Sequence, residues 1–276
     1  MRNKNSLFFF VVLVMLVSCD NGDRERRIEK GSLPNIILIL ADDLGYGDTG
    51  PYGQQKTETP NLDRLAGNGM RFTDFYSGSP VCAPSRCVLL TGLHTGHAQV
   101  RGNDEWAERG NVWSYEAMIA DSTLEGQRPL AANTITLGRL LQSKGYKTAV
   151  IGKWGLGAPQ TEGIPNRQGF DFFYGYNCQR QAHTYYPVHL YRNENREYLE
   201  NDTVAPHSGF ANGDDPYDPE SYLRFSLNDY SPDLMFKEIT RFVGENRDNP
   251  FFLFWTTTIP HLALQAPADR VDYYHR

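Results

Sequence analysis

Three strand-length runs dominated by apolar residues mark the chain: Asn35 to Ala41, Lys147 to Ile151 and Pro250 to Thr257. Runs this short and without alternation predict strands buried on both faces, as in a parallel sheet covered by helices. Helical spacing separates them. Pro60 to Asn68 reads as a helix with Thr59 as N-cap and Pro60 at its first position. Pro84 to Thr91 reads as another, its N-terminus directed at residue 82. Asn133 to Lys144 carries Leu137, Leu140 and Leu141 at helical spacing and stops at Gly145, and Ser231 to Asn246 is amphipathic. Arg71 to Tyr76 alternates and predicts a further strand. The order is that of an α/β domain with a mostly parallel sheet flanked by helices. Asn103 to Arg128 and Gly155 to Pro232, rich in Gly, Asn, Pro and aromatics, read as long loops, which are usually functional.

The N-terminus follows a different pattern. Arg2 and Lys4 precede an apolar run from Leu7 to Val17, well short of the about 20 residues a spanning helix needs. A positive start, a short apolar core and small residues describe an export signal, with a single membrane anchor as the alternative. Leu16-Val17-Ser18-Cys19 resembles a bacterial lipobox, which implies cleavage before Cys19 and lipidation of that residue. The expected organisation is a signal peptide at 1–18, a charged tether at 19–33 and a catalytic domain at 34–276. The mature chain is then exported, periplasmic or surface-facing, and touches the membrane only through its lipid.

Composition narrows the partners. The formal charge of −6 lacks the basic excess of a nucleic-acid binder. Of four cysteines, Cys87 and Cys178 are left once Cys19 and Cys82 have roles, and an oxidising compartment permits a disulfide between them.

Chemistry concentrates where predicted strands end, the position at which open α/β sheets bind ligands. The first run stops at Asp42-Asp43-Leu44-Gly45, two carboxylates that either cap a turn or hold a hard cation. The second delivers Gly152-Lys153-Trp154, the third Ile259-Pro260-His261. Cys82-Ala83-Pro84-Ser85-Arg86 places a thiol at a helix start, where free N–H groups favour anions, beside a guanidinium that binds oxyanions. The plain alternative is a buried cysteine before an ordinary helix.

Cys82-Ala83-Pro84-Ser85-Arg86, continued by Leu89-Leu90-Thr91-Gly92, resembles the signature of the type I sulfatases. The resemblance implies an alkaline-phosphatase-like fold and a cysteine that a maturation enzyme oxidises to formylglycine, whose hydrate attacks sulfur. It implies that Asp42, Asp43 and residue 82 bind one calcium ion. Arg86 and Lys153 would stabilise charge, and His261 would contact sulfate and protonate the leaving alcohol. The implied substrate is a sulfated carbohydrate or an aryl sulfate. His97, Arg101 and Asn103 follow the Cys82 helix closely enough to line the pocket mouth and bind sugar hydroxyls, or form an ordinary polar loop.

Two departures stand out. The family places a histidine two residues after the lysine, and this chain has Gly155. His97, His183 and His189 are the candidates to replace it, with His183 preferred. The family also has a later Asp-Asn pair and a second lysine. Here Asp269 and Asp272 lack the asparagine and the sequence stops at Arg276, which reads as a truncated gene product or a fragment. A non-catalytic remnant and a phosphate or phosphonate ester hydrolase of the same superfold are the competing readings.

Overall fold

The computed structural model describes residues 33–225 and 227–275. Cys19 and the expected signal and tether lie outside the described residues. A six-stranded sheet organises the domain: β1 (Ile36–Asp42), β2 (Lys147–Lys153), β3 (Phe172–Tyr176), β4 (His189–Arg192), β5 (Asn195–Tyr198) and β6 (Phe251–Pro260), in the order β1-β6-β2-β3-β4-β5. The first four in that order are mutually parallel, while β4 and β5 run antiparallel at the far edge.

The apolar runs account for the sheet's centre. β2 is buried from Thr148 to Lys153, and the first four residues of β6 are buried. Phe252, Leu253 and Phe254 are almost wholly enclosed, and each such side chain contributes about 1.5–3 kcal/mol by leaving water. Strand β1 departs from the expectation of burial on both faces. Among the described residues it pairs only with β6, and Ile37 and Ile39, on one face, are about half exposed. It is an edge strand with one face open.

Helices α1 (Pro60–Asn68), α2 (Cys82–Thr91), α3 (Tyr115–Ala120), α4 (Leu137–Ser143), α5 (Ser231–Glu245) and α6 (Ala268–His275) complete the frame. α5 buries Met235, Ile239 and Phe242, at i, i+4 and i+7, against Ala149, Ile151, Tyr174 and Leu253 of the sheet. α4 begins at Leu137, the first of the spaced leucines and four residues after the expected Asn133, because Thr136 caps it by accepting from the Arg139 amide at 3.2 Å. Thr59 precedes α1 without capping it, since its hydroxyl instead accepts from the Gly50 amide at 2.8 Å.

Two further expectations are corrected. Arg71 to Tyr76 forms no strand, and no neighbouring backbone ladder meets it. It is held instead by the Tyr52 hydroxyl, which donates to the Phe72 carbonyl at 2.8 Å. Cys87 and Cys178 are both free thiols, so no disulfide joins them.

The loop from Asn103 to Arg128 is pinned by a bridge between Glu105 and Gln127. Burial raises the Glu105 carboxyl to about 7, against the lowering pull of Arg180 and of hydrogen bonds from Gln127 and Cys178. Because this acid binds its proton more tightly when folded, stability is expected to fall as pH rises from about 4.5 to about 7. At about 1.4 kcal/mol per pH unit the loss approaches about 3 kcal/mol. Chemical denaturation between pH 5 and 8 should show that slope in the native chain and a flatter one in Glu105→Gln. Equal slopes would remove Glu105 as the cause.

Candidate active site

The parallel strands bring their carboxyl ends to one edge. The β1–β6 register slips there: Ala41 faces Thr257, but Asp42 faces Pro260. Irregularities of this kind re-aim side chains. Asp42 becomes buried, while Asp43 sits on left-handed backbone, φ 58°, with its side chain 63% exposed. β2 ends on Lys153, and β6 continues three residues past its apolar run, so that His261 follows it directly.

Helix α2 starts two residues before the sequence pattern suggests. Cys82 is its first helical residue, after the extended Val81, and Pro84 is its third. A proline is accommodated there, because the first four helical amides have no intrahelical acceptor. The Ala83 amide donates to Asn103 Oδ1 at 2.8 Å. Asn103, expected at the pocket mouth, thus holds the N-terminus of the helix that carries Cys82. Arg101 folds onto its own loop, donating to the carbonyls of Ala98 and Gly96, and His97 is exposed.

At the centre, Lys153 Nζ lies 2.7 Å from Asp42 Oδ2 and 3.5 Å from Cys82 Sγ. Arg86 approaches the same carboxylate oxygen at 3.4 Å and donates to the Lys153 carbonyl at 2.6 Å. Thr256, which the sequence did not single out, bonds both Arg86 and the Lys153 carbonyl. Asp42, Arg86 and Lys153 are nearly inaccessible to water, so each charge depends on the others for compensation.

The electrostatics follow from that packing. Burial pushes the Asp42 carboxyl up, but Lys153 and Arg86 outweigh it and hold the group below its usual range. Burial likewise raises the Cys82 thiol, and a hydrogen bond with His261, together with Lys153 and Arg86, brings it below the ordinary thiol value. The same bond raises His261. His261 Nε2 also stands 3.4 Å from Asp43 Oδ2, and its Nδ1 is 2.8 Å from the Leu262 carbonyl. Among the described residues, Asp42, Cys82 and His261 form the one group of three metal-capable side chains whose ligand atoms lie within 4.8 Å of one another. The centre opens into a cavity of about 510 Å³ lined by Asp42, Asp43, Cys82 and Arg86, with Phe75 and Tyr76 at its wall.

His183 lies next to this group. Its ring meets His261 edge-on at 4.6 Å and stacks on His207 at 4.0 Å. Burial, reinforced by Lys153, lowers its pKa to about 3. Its Nδ1 faces the Arg180 carbonyl at 3.0 Å, which assigns the proton to Nδ1 and leaves Nε2 as the acceptor. His189 is elsewhere, buried against Glu125 at 2.6 Å.

The structure also explains what stands in the space beside Gly155. A Cβ there would lie 1.8 Å from Gln179 Nε2, and the backbone is left-handed, φ 79°. Gln179 is buried, and its Oε1 has no hydrogen-bond partner. No local pattern could have shown this, because it is a meeting of two loops. Gly155→His is therefore expected to destabilise the fold by about 2 kcal/mol or more, and Gln179→Ala should restore part of the loss. Thermal melts of the single and double variants test this; a single variant melting like the native chain would contradict it.

Comparison with known proteins gives the chain's family. The Sulfatase family model matches residues 34–276. Human N-acetylgalactosamine-6-sulfatase is 32% identical over 247 residues, 84% of this chain and 40% of its own length. Human arylsulfatase A is 43% identical over 143 residues, 51% of this chain and 25% of its own. The structure of Ps i-CgsB in complex with k-i-k-neocarrahexaose superposes with a TM-score of 0.63 at 26% identity, covering 88% of this chain and 48% of that one. The chain thus matches less than half the length of each of these proteins. With the cysteine motif at the start of α2, the charged group at the strand ends and a family model that matches residues 34–276, this chain belongs to the sulfatase family.

Proposed function

We propose that the chain hydrolyses sulfate esters of glycans, using residue 82 after its conversion to formylglycine by a maturation enzyme. The observation that carries this reading is the position of Cys82 Sγ, 3.5 Å from Lys153 Nζ and within 4.8 Å of a His261 ring nitrogen. The position suits the converted group: it is half-buried, open to the cavity and faced by N–H donors. The hydrated aldehyde supplies the nucleophilic oxygen.

The surrounding residues have separable tasks. Lys153 holds its ammonium where negative charge grows on the sulfuryl group, the kind of fixed electrostatic aid that acts most strongly in a water-poor site. Arg86, pinned by Asp42, Thr256 and the Lys153 carbonyl, contributes a second fixed charge. His261 stands beside residue 82 with its pKa raised, which favours the protonated ring that could pass a proton to the leaving alcohol. His183, uncharged near neutrality, offers Nε2 as a proton acceptor beside His261.

Asp42 and Asp43 are hard oxygen donors of the type calcium takes six to eight of. With the converted residue 82 they would hold one ion, which would supply positive charge to acidify the hydrate.

The glycan assignment is supported by relatives named for N-acetylgalactosamine 6-sulfate and solved with a neocarrahexaose. The test joins two measurements on the chain expressed in an exporting bacterial host that contains the maturation enzyme. These are sulfate release from an aryl sulfate and the mass of the peptide containing residue 82. Turnover with an aldehyde at 82 is expected. An unconverted thiol in a chain that nonetheless turns over would overturn the mechanism, and a converted chain without turnover would overturn the activity.

A further inference from the structure

A second cavity, of about 450 Å³, lies between α6, the segment after β6 and the loop around Pro216 to Tyr222. Five of its fourteen lining residues are tyrosines, most of the others are apolar, and Arg270 is the one charged side chain among them. Volume and lining fall in the range of small-ligand sites. Two of the rings stand out for their exposure, Tyr217 at 80% and Tyr274 at 56%. A core cluster would have hidden them; here several apolar faces converge on one concave surface and remain wet. The Tyr222 hydroxyl is committed to the Pro216 carbonyl at 3.0 Å, which fixes that loop as a wall. The Arg270 side chain is 70% exposed, lies 3.5 Å from Asp269 and is close enough to Tyr230 to act on its hydroxyl. On a chain of net charge −6 this is a local cation beside an aromatic hollow.

The cavity is mechanically joined to the catalytic group. Tyr185 contributes its ring to the wall, while its hydroxyl donates to the Thr258 carbonyl at 3.0 Å and to the carbonyl of His261. Ile259 and Pro260, just before His261, line the same hollow. A pyranose presents C–H faces that stack on flat rings and a rim of hydroxyls or sulfate groups. Tyrosines with one arginine match that combination, since the rings take the faces and the guanidinium takes an anionic substituent.

We infer that this tyrosine cavity is a subsite for a further, anion-bearing sugar residue of an oligosaccharide substrate, and that Tyr185 links its occupancy to the placement of His261. The inference rests on the glycan sulfatase reading and names the substrate as an oligosaccharide that spans both cavities.

The test separates the two claims. Two sulfated hexasaccharides serve as probes, one carrying N-acetylgalactosamine 6-sulfate and one a neocarrahexaose. Each is titrated calorimetrically into the full chain bearing Cys82→Ala, alone and combined with Tyr217→Ala or Arg270→Ala. At least one probe is expected to bind more tightly than its sulfated monosaccharide, with Kd rising about tenfold in either cavity variant. In the converted enzyme, the ratio of kcat/KM for that hexasaccharide to kcat/KM for an aryl sulfate should fall by a similar factor. Hexasaccharides that bind no better than monosaccharides, or cavity variants that bind as well as the parent, would overturn the subsite. Absence of sulfate release from every substrate would instead count against the sulfatase reading, while the binding titrations still decide the cavity.

Discussion

Cys82→Ser is expected to reduce multiple-turnover sulfate release by about 10⁴-fold or more, with no comparable loss of stability. Serine keeps a hydroxyl beside Lys153 and His261, so the surrounding charges retain a polar partner. It lacks the thiol that the proposed maturation would oxidise. It also offers a single oxygen where an aldehyde hydrate offers two, and so has no second oxygen with which to expel bound sulfate. At most one equivalent of alcohol per chain should appear in a burst, followed by silence. Rapid-quench kinetics with an aryl sulfate, paired with a thermal melt, reads both halves. Sustained turnover by the serine variant would show that residue 82 acts in some other way.

Lys153→Met should damage both activity and stability. It removes the cation at 2.7 Å from a carboxylate only 6% exposed, leaving Arg86 at 3.4 Å as the remaining close partner. Stripping one partner from a buried pair costs several kcal/mol where nothing else compensates, and with Arg86 still present about 2–3 kcal/mol is expected. The rate constant for sulfate release should drop about 10²- to 10³-fold, the usual consequence of losing one preorganised donor. A second substitution distinguishes the causes. Asp42→Asn in the Lys153→Met background neutralises the orphaned charge and should recover much of the stability, while leaving the rate low. Denaturant titrations that show no recovery would mean that the lysine stabilises by packing rather than by compensating Asp42.

The parts of the fold that sequence pattern could reveal are those in which one local property decides the outcome. β2 and β6 lie in the middle of the sheet, so their continuous apolar runs had no solvent face to encode. β3 to β5 escaped notice because Phe172–Tyr176 and the hairpin after it are short, and embedded in a segment dense with Gly, Asn and aromatics. Arg71 to Tyr76 shows the reverse error: alternation specifies a strand only if an edge is there to receive it. The site follows the same logic. The meeting of Asp42, Lys153 and His261 was legible because the first two end strands and the third directly follows one, and parallel strands must deliver their ends to a common edge. Asn103 under α2, Thr256 between Arg86 and Lys153, and Gln179 in the space beside Gly155 were not. Each is defined by a contact between segments far apart in the chain, and nothing in its own neighbourhood marks it.

The open face of β1 bears on how the site stays assembled. Among the described residues β1 has ladder bonds to β6 alone, which give it less restraint than the central strands have. Yet it carries both carboxylates. Asp42 is fastened at the inner end by Lys153 from β2 and Arg86 from α2, so three separate elements are tied through one oxygen atom. The ion pairs therefore act as a clasp on a strand that would otherwise fray. Amide exchange should run fastest at the Asn35 end of β1 and slow towards Asp42, opposite to the fraying expected of a strand whose ends are equally free.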